Sequence, residues 1–329
     1  KFKLILNIRH LKAFFALFLL VFYAHAEAAC PNERSNDRYW VADDDGVEKV
    51  WHDAANWSSI AGGPGGCSAP NSKNKKAFFN SNSSQVSVKL TQHVDKIFKL
   101  NVINGYSGTI NLNGKKLKTK DNMLINYGTV SVPANSTLQS YKDLYIGTNG
   151  TVTSSGEGNV ISVKNNLKIY GSLKAPSGGD DRFFVRGGFN IFSGGIFDHS
   201  NGTVTLNTRY GNKNNKPTAT IKIEDGPGNN RNFYNLKKNA NKNIYLGTDI
   251  QIENNLSLIG NGYIYAQDLG GTNHNITIGG DWYQNKNTSF VALSGKVIFN
   301  GSSAQTINSR SSFYNLQISN SDVSLLRAA

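Results

Sequence analysis

From about residue 80 onward, short runs of alternating apolar and polar residues recur between turn signals. Gln85-Val86-Ser87-Val88, Gly108-Thr109-Ile110-Asn111-Leu112, Gly128-Thr129-Val130-Ser131-Val132, Asn159-Val160-Ile161-Ser162-Val163 and Gly202-Thr203-Val204-Thr205-Leu206 all have period two. Period two marks strands with one buried face. The turn signals return every 8–12 residues or so, as in a chain of many short strands. No stretch holds helical periodicity for more than a turn or two.

Longer echoes overlie this pattern. Tyr145-Ile146-Gly147-Thr148 returns as Tyr245-Leu246-Gly247-Thr248, and Asn165-Asn166-Leu167-Lys168-Ile169 as Asn254-Asn255-Leu256-Ser257-Leu258. Gly187-Gly188-Phe189 returns as Gly279-Gly280-Asp281-Trp282, Gly202-Thr203-Val204 as Gly295-Lys296-Val297, and Phe233-Tyr234-Asn235-Leu236 as Phe313-Tyr314-Asn315-Leu316. Echoes kept in order predict a duplicated module of about 90 residues, each with roughly four subrepeats of about 20–25. A subrepeat of that size, built of short strands and Gly/Asn turns, fits one coil of a right-handed parallel β-helix. About a dozen coils at ~4.8 Å would make a rod of about 55–60 Å. Asn at the turns would stack into hydrogen-bonded ladders. Tandem β-sandwiches are the alternative, because Asn104-Gly105, Asn113-Gly114, Asn149-Gly150 and Asn261-Gly262 are tight-turn pairs found in antiparallel hairpins.

Composition supports an all-β reading. Of 329 residues, 33 are Gly, 43 Asn and only one Met, and charged residues make up 17%. The usual charged share is about 25%. Good helix formers are scarce. An α-rich enzyme and a doubly wound nucleotide-binding fold are therefore excluded. Disorder is excluded too, since 17 Phe, 14 Tyr and 4 Trp need a core.

The N-terminus reads as an export signal covering residues 1–26. Lys1, Lys3, Arg9 and Lys12 precede the apolar run Ala13–Tyr23, and Ala24-His25-Ala26 forms a small-residue cleavage site. The run is too short to span a bilayer, which takes about 20 residues. Residues 27–80 form a second unit, a cap holding Trp40, Trp51, Trp57 and both cysteines, Cys30 and Cys67. Two cysteines in an exported chain predict one disulfide. Residues 81–329 are the repeat array. Its end at Val323–Ala329 falls inside strand-like sequence, so the array is expected to be truncated there, with an unfinished last coil.

Without the signal the chain carries 31 basic and 22 acidic residues, a net of +9. The lysines cluster at Lys73, Lys75 and Lys76, at Lys115, Lys116, Lys118 and Lys120, and at Lys237, Lys238 and Lys242. Lysine on strand edges blocks edge-to-edge association, and this solvated role is the favoured reading. As a specific ligand, an acidic polysaccharide ranks above nucleic acid.

Gly279-Gly280-Asp281-Trp282, Gly295-Lys296-Val297-Ile298-Phe299-Asn300-Gly301, Ala304-Gln305-Thr306-Ile307 and Phe313-Tyr314-Asn315-Leu316-Gln317-Ile318 resemble the repeat of large secreted bacterial surface proteins. These are adhesins of the autotransporter-passenger and filamentous-haemagglutinin-like kind. Tyr39-Trp40-Val41, Trp51 and Asn56-Trp57-Ser58 resemble the cap-like start of such proteins. The resemblance implies a β-helical stalk at the bacterial cell surface, with glycans or surface proteins of host or neighbouring cells as partners. It implies no nucleic-acid partner, and membrane attachment only through a downstream anchor. It brings no catalytic residues.

Candidate chemistry is sparse. His52, His93, His199 and His274 stand apart from one another and from paired acids in sequence, and no H-E-x-x-H, C-x-x-C or G-x-S-x-G motif occurs. Asp43-Asp44-Asp45-Gly46 and Glu48 have the outline of a calcium loop with the wrong spacing, and read as a solvated turn. No metal or other cofactor is expected. Were the chain a β-helix lyase or hydrolase, its acids would recur at coil spacing. Asp180, Asp181 and Asp198 are the best such set, with Glu224 and Asp225 next. Turn positions explain these acids more simply, so the expectation is a non-catalytic stalk. A carbohydrate-binding module of a larger enzyme is the remaining alternative.

Overall fold

The computed structural model describes residues 29–179, 182–207, 219–223, 232–241 and 243–326. These residues form a parallel β-solenoid, each coil carrying three short strands on three sides. A 3-10 turn at Ala54–Asn56 is the one helical element among them. Side one runs through Lys76–Phe79, Lys99–Val102, Leu167–Ile169, Phe189–Ile191, Ala219–Ile223, Ile244–Leu246 and beyond, each strand parallel to the next. Side two runs through Val88–Lys89, Thr109–Asn111, Ser172–Lys174 and Ile196–Asp198. Met123–Val132 and Leu144–Ser154 cross from side one to side two without a break, so both sides count as one 17-stranded sheet. Side three is an 11-stranded sheet from Val94–Ile97 to Val323–Leu325. Its ten steps give about ten turns, fewer than the dozen expected, and a stack of about 48 Å.

The interior is a set of apolar columns. On side one, Leu100, Met123, Leu144, Leu167, Phe189 and Ile221 lie in register and are buried. Leu117, Leu138, Ile161, Phe183, Val204 and Leu236 do the same on side three. Each fully buried side chain of this kind contributes about 1.5–3 kcal/mol by leaving water. Along strands such as Thr137–Ser140, Phe183–Val185 and Ile276–Ile278 the residues between the buried ones are more exposed, which is the period-two pattern of the sequence.

At the corners, Asn and Asp carboxamide and carboxylate oxygens accept the backbone N–H of the next coil. Asn122 Oδ1 accepts from Asp143 N, Asp143 Oδ1 from Asn166 N, and Asn166 Oδ1 from Gly188 N, at 2.8–3.1 Å. A second column runs from Asn235 through Asn255 and Asp281 to Thr306 N. The ladders are thus mostly side chain to backbone, and they satisfy turn N–H groups that strand pairing leaves over.

Asn104-Gly105 and Asn113-Gly114 adopt positive φ at both residues, as their sequence demands. They join successive sides of a coil, however, and make no antiparallel hairpin. The tandem-sandwich alternative is accordingly ruled out. Most of the echoed segments fall on different sides, although Tyr145 and Tyr245 both lie on side one. Leu167–Ile169 belongs to side one and its echo Leu256–Gly260 to side three; Thr203–Leu206 belongs to side three and its echo Lys296–Phe299 to the five-stranded sheet. The repeating unit is therefore one corner plus one strand, interchangeable among sides, and not a module of 90 residues.

The five-stranded sheet, Asn232–Phe233, Ile250–Ile252, Ile276–Ile278, Lys296–Phe299 and Asn315–Ile318, follows side one and precedes side three in each later coil. It takes the place of side two without pairing to Ile196–Asp198. Side three steps from Thr203 directly to Asn235 at this point, the longest step of the array.

The cap is continuous with the solenoid. Asp37–Trp40 pairs in parallel with Lys76–Phe79 and antiparallel with Trp57–Ser58, which covers its outer edge. Trp40, Trp51, Trp57 and Phe79 pack with ring centroids 4.9–5.9 Å apart, and all four are buried. Cys30 and Cys67 form a disulfide. Beside it the buried Arg38 guanidinium donates to the carbonyls of Glu33, Ser35, Asp37 and Ser68 and to Glu33 Oε1 at 2.8 Å.

Candidate functional site

A polar groove of about 390 Å³ opens where side two turns toward side three, lined by Ser154, Ser155, Lys174, Ser177, Asp198, Ser200 and Asn201 among others. Lys174 and Asp198 are register partners at the ends of Ser172–Lys174 and Ile196–Asp198. Past Asp198 the chain reverses tightly: Ser200 and Asn201 hold positive φ, and Gly202 passes so close to Pro176 that a Cβ would sit 2.2 Å from its carbonyl oxygen. The Asp198 side chain stabilises this reversal. Its Oδ1 accepts from Ser200 N at 2.7 Å and from Ser200 Oγ at 3.2 Å, the local bonding that favours Asp at turns. Its Oδ2 lies 4.0 Å from Lys174 Nζ, with both side chains about half exposed.

Asp198 is the one member of the candidate acidic set that can be placed; Asp180 and Asp181, like Glu224 and Asp225, lie outside the described residues. Hydroxyls, one amide, one carboxylate and one ammonium can hydrogen-bond the hydroxyls of a sugar. General acid–base chemistry needs two titratable groups converging on one bond. Asp198 is engaged by its own turn and by Lys174.

Two histidines meet acids in contacts that were not apparent from the sequence. His199 Nε2 lies 3.2 Å from Glu253 Oε1, and its Nδ1 accepts from Asn201 N. His274 Nδ1 lies 3.6 Å from Asp249 Oδ1, and its Nε2 lies 3.9 Å from Asp268 Oδ2. Histidines isolated along the chain thus meet Glu253 and Asp249 across coils, and Asp268 within one loop. Asp249 and His274 are one coil apart, and that spacing was the available signal. Both carboxylates have structural work as well: Asp249 receives the N–H and side-chain amide of Asn275, and Asp268 holds the turn at Gly270 and Thr272. His52 is a different case. Burial lowers its pKa, and neither ring nitrogen has a hydrogen-bond partner among the described residues.

The residues with the outline of a calcium loop do not converge. Asp45 Oδ2 bonds Lys49 Nζ at 2.5 Å and Oδ1 accepts from Val47 N, and the lysine bond holds its carboxyl below the usual range. Glu48 instead faces Lys89 at 3.6 Å. Cys30, Glu33 and Cys67 lie within reach of a common ion, but both sulfurs are used in the disulfide. Burial would raise the Glu33 pKa, yet hydrogen bonds from Ser68 and Arg38 outweigh it and hold the carboxyl low.

Long polar side chains buried at inward strand positions include Lys238 and Gln284. Lys238 is buried on side three, donates to the Asn261 carbonyl at 2.7 Å, and is pushed down to about 8 by desolvation. Gln284 is buried and donates to Thr288 O and Ser311 Oγ. Outside, Tyr145, Tyr170 and Phe192 stack along side one at 5.0 and 4.1 Å, and Tyr245 stacks on Tyr265 at 4.5 Å. Compared with known proteins, the chain has no significant match to any family model, curated protein or solved structure.

Proposed function

We propose that this chain is a non-catalytic structural and adhesive stalk of a bacterial surface protein, working outside the cell. The observation that carries the reading is the parallel stack of about ten coils, continuous on side three, with a mainly apolar interior and polar flanks. Such a body provides length and a repeated surface. The Cys30–Cys67 disulfide is in keeping with an oxidising compartment. The export signal proposed for residues 1–26 lies outside the described residues. In this reading the groove at Asp198 contacts the hydroxyls of a glycan without cutting it.

A polysaccharide lyase or hydrolase is the competing reading, favoured by the same groove because it sets Asp198 beside Lys174. The two are separated by incubating the purified chain with acidic and neutral polysaccharides, with calcium present. Reducing ends and unsaturated products are followed. Binding without turnover is the expected result. Turnover that disappears in Asp198→Ala would replace the stalk by the enzyme.

A further inference from the structure

The positive charge of the chain is concentrated in one part of the stack. Residues 73–142 contain eleven lysines and no arginine, against two aspartates and no glutamate. Residues 30–72, just before, contain three basic and seven acidic residues. Five of the eleven lysines have a carboxylate within 4 Å: Lys75 with Glu33, Lys76 with Asp37, Lys89 with Glu48, Lys118 with Asp95 and Lys142 with Asp121. Among the described residues the other six have no such partner: Lys73, Lys115 and Lys116, and three at one corner, Lys96, Lys99 and Lys120.

These three lie together, around the corner from side three to side one. Phe98, Lys120 and Tyr141 each follow directly after side-three residues that are in register, Ile97, Thr119 and Ser140. They therefore rise one above another on three successive coils. Lys120 Nζ sits 5.9 Å from the centre of the Phe98 ring, and Lys96 Nζ reaches 5.0 Å from that of Tyr141. Rings held under ammonium groups fix long side chains that would otherwise wander. Lys99 occupies the next position of the corner, with Asn122 and then Asp143 above it in the side-one register. Lys142 follows Tyr141 on the third coil and is bonded at 3.0 Å to Asp121. Burial would raise the Asp121 pKa, but the Asn122 N–H, Lys142 and Lys99 hold that carboxyl low. An extended ligand lying along the stack thus meets at least one ammonium group per coil, every ~4.8 Å.

We propose that this corner binds an extended polyanionic glycan, one that carries a carboxylate or sulfate on its sugars. Nucleic acid fits less well. Single strands bind by stacking bases on open aromatic faces, whereas here ammonium groups lie over both rings. The inference uses charge and geometry alone, so it stands or falls separately from the stalk reading.

The test measures binding of the purified chain to immobilised polygalacturonate, with dextran and oligothymidylate in parallel. Lys99→Gln/Lys120→Gln is compared with Lys286→Gln/Lys296→Gln, which removes the same charge elsewhere, and with Lys99→Arg/Lys120→Arg, which keeps it. The expected result is salt-sensitive binding to polygalacturonate and not to dextran. The corner glutamine variant should lose about tenfold in affinity, with the other two variants near wild type. No binding to polygalacturonate, equal losses in the two glutamine variants, or tighter binding of oligothymidylate would each overturn the proposal.

Discussion

Trp57→Ala should unseat the cap and leave the far coils intact. Trp57 is fully buried and lies edge-on to Trp40, Trp51 and Phe79 at 5.2, 4.9 and 5.6 Å. Its indole N–H donates to the Trp51 carbonyl at 2.6 Å. Truncating a buried tryptophan costs about 3–5 kcal/mol, and orphaning a buried carbonyl adds about 1–3. The expected local loss is therefore about 5 kcal/mol. In a stack where each coil contacts only its neighbours, that loss stays near its source. Native-state hydrogen exchange with mass readout follows it by region. Exchange in Asp37–Trp40, Trp57–Ser58 and Lys76–Phe79 should quicken by about 3.5 orders of magnitude, while Gln305–Asn308 is unchanged. Trp57→Phe keeps part of the ring packing and should lose less than half as much. A uniform rise along the whole chain, or a cap loss below about 2 kcal/mol, would refute the claim that these aromatics seal the first coil.

Two other perturbations test single features. Cys30→Ser/Cys67→Ser opens a crosslink between positions 37 apart and should lower stability by about 3–4 kcal/mol, read from denaturant melts, while alkylation of the unreduced native protein should find no thiol. Lys238 is held near pKa 8 in the fold against 10.5 for its ordinary value, so above pH 8 the folded state sheds a proton that the unfolded chain still holds. Stability should therefore rise between about pH 8 and 10.5, and fall back as pH drops through 8, and Lys238→Met should flatten that slope.

Much of the architecture could be read from the chain because most strands are short and alternate apolar with polar residues. Val204 and Leu206 alternate with Thr203 and Thr205, and the pattern identifies a strand before any partner is known. The disulfide followed from there being two cysteines in one short region. The meaning of the echoes was harder to read. Leu167–Ile169 and Leu256–Gly260 are alike because every side of a coil asks for the same thing, a polar corner and then an inward apolar pair. Resemblance between segments therefore says little about which side they occupy. The histidine–acid contacts escaped because neighbours in a solenoid are one or two coils apart, and coil length varies. Lys238 looked like part of a solvated lysine cluster, whereas the register with Leu206 and Leu258 turns it inward.

The parallel ladders also fix how the molecule responds to tension. Their hydrogen bonds run along the axis of the stack, so a pull on the two chain ends loads them one coil at a time. They open as a zipper opens, at low force, and no single rupture releases the whole body. Successive side-three strands are typically 20–26 residues apart. Each released coil would lengthen the chain by about 70–85 Å at full extension. A tether built this way yields in small steps and re-forms as the load falls.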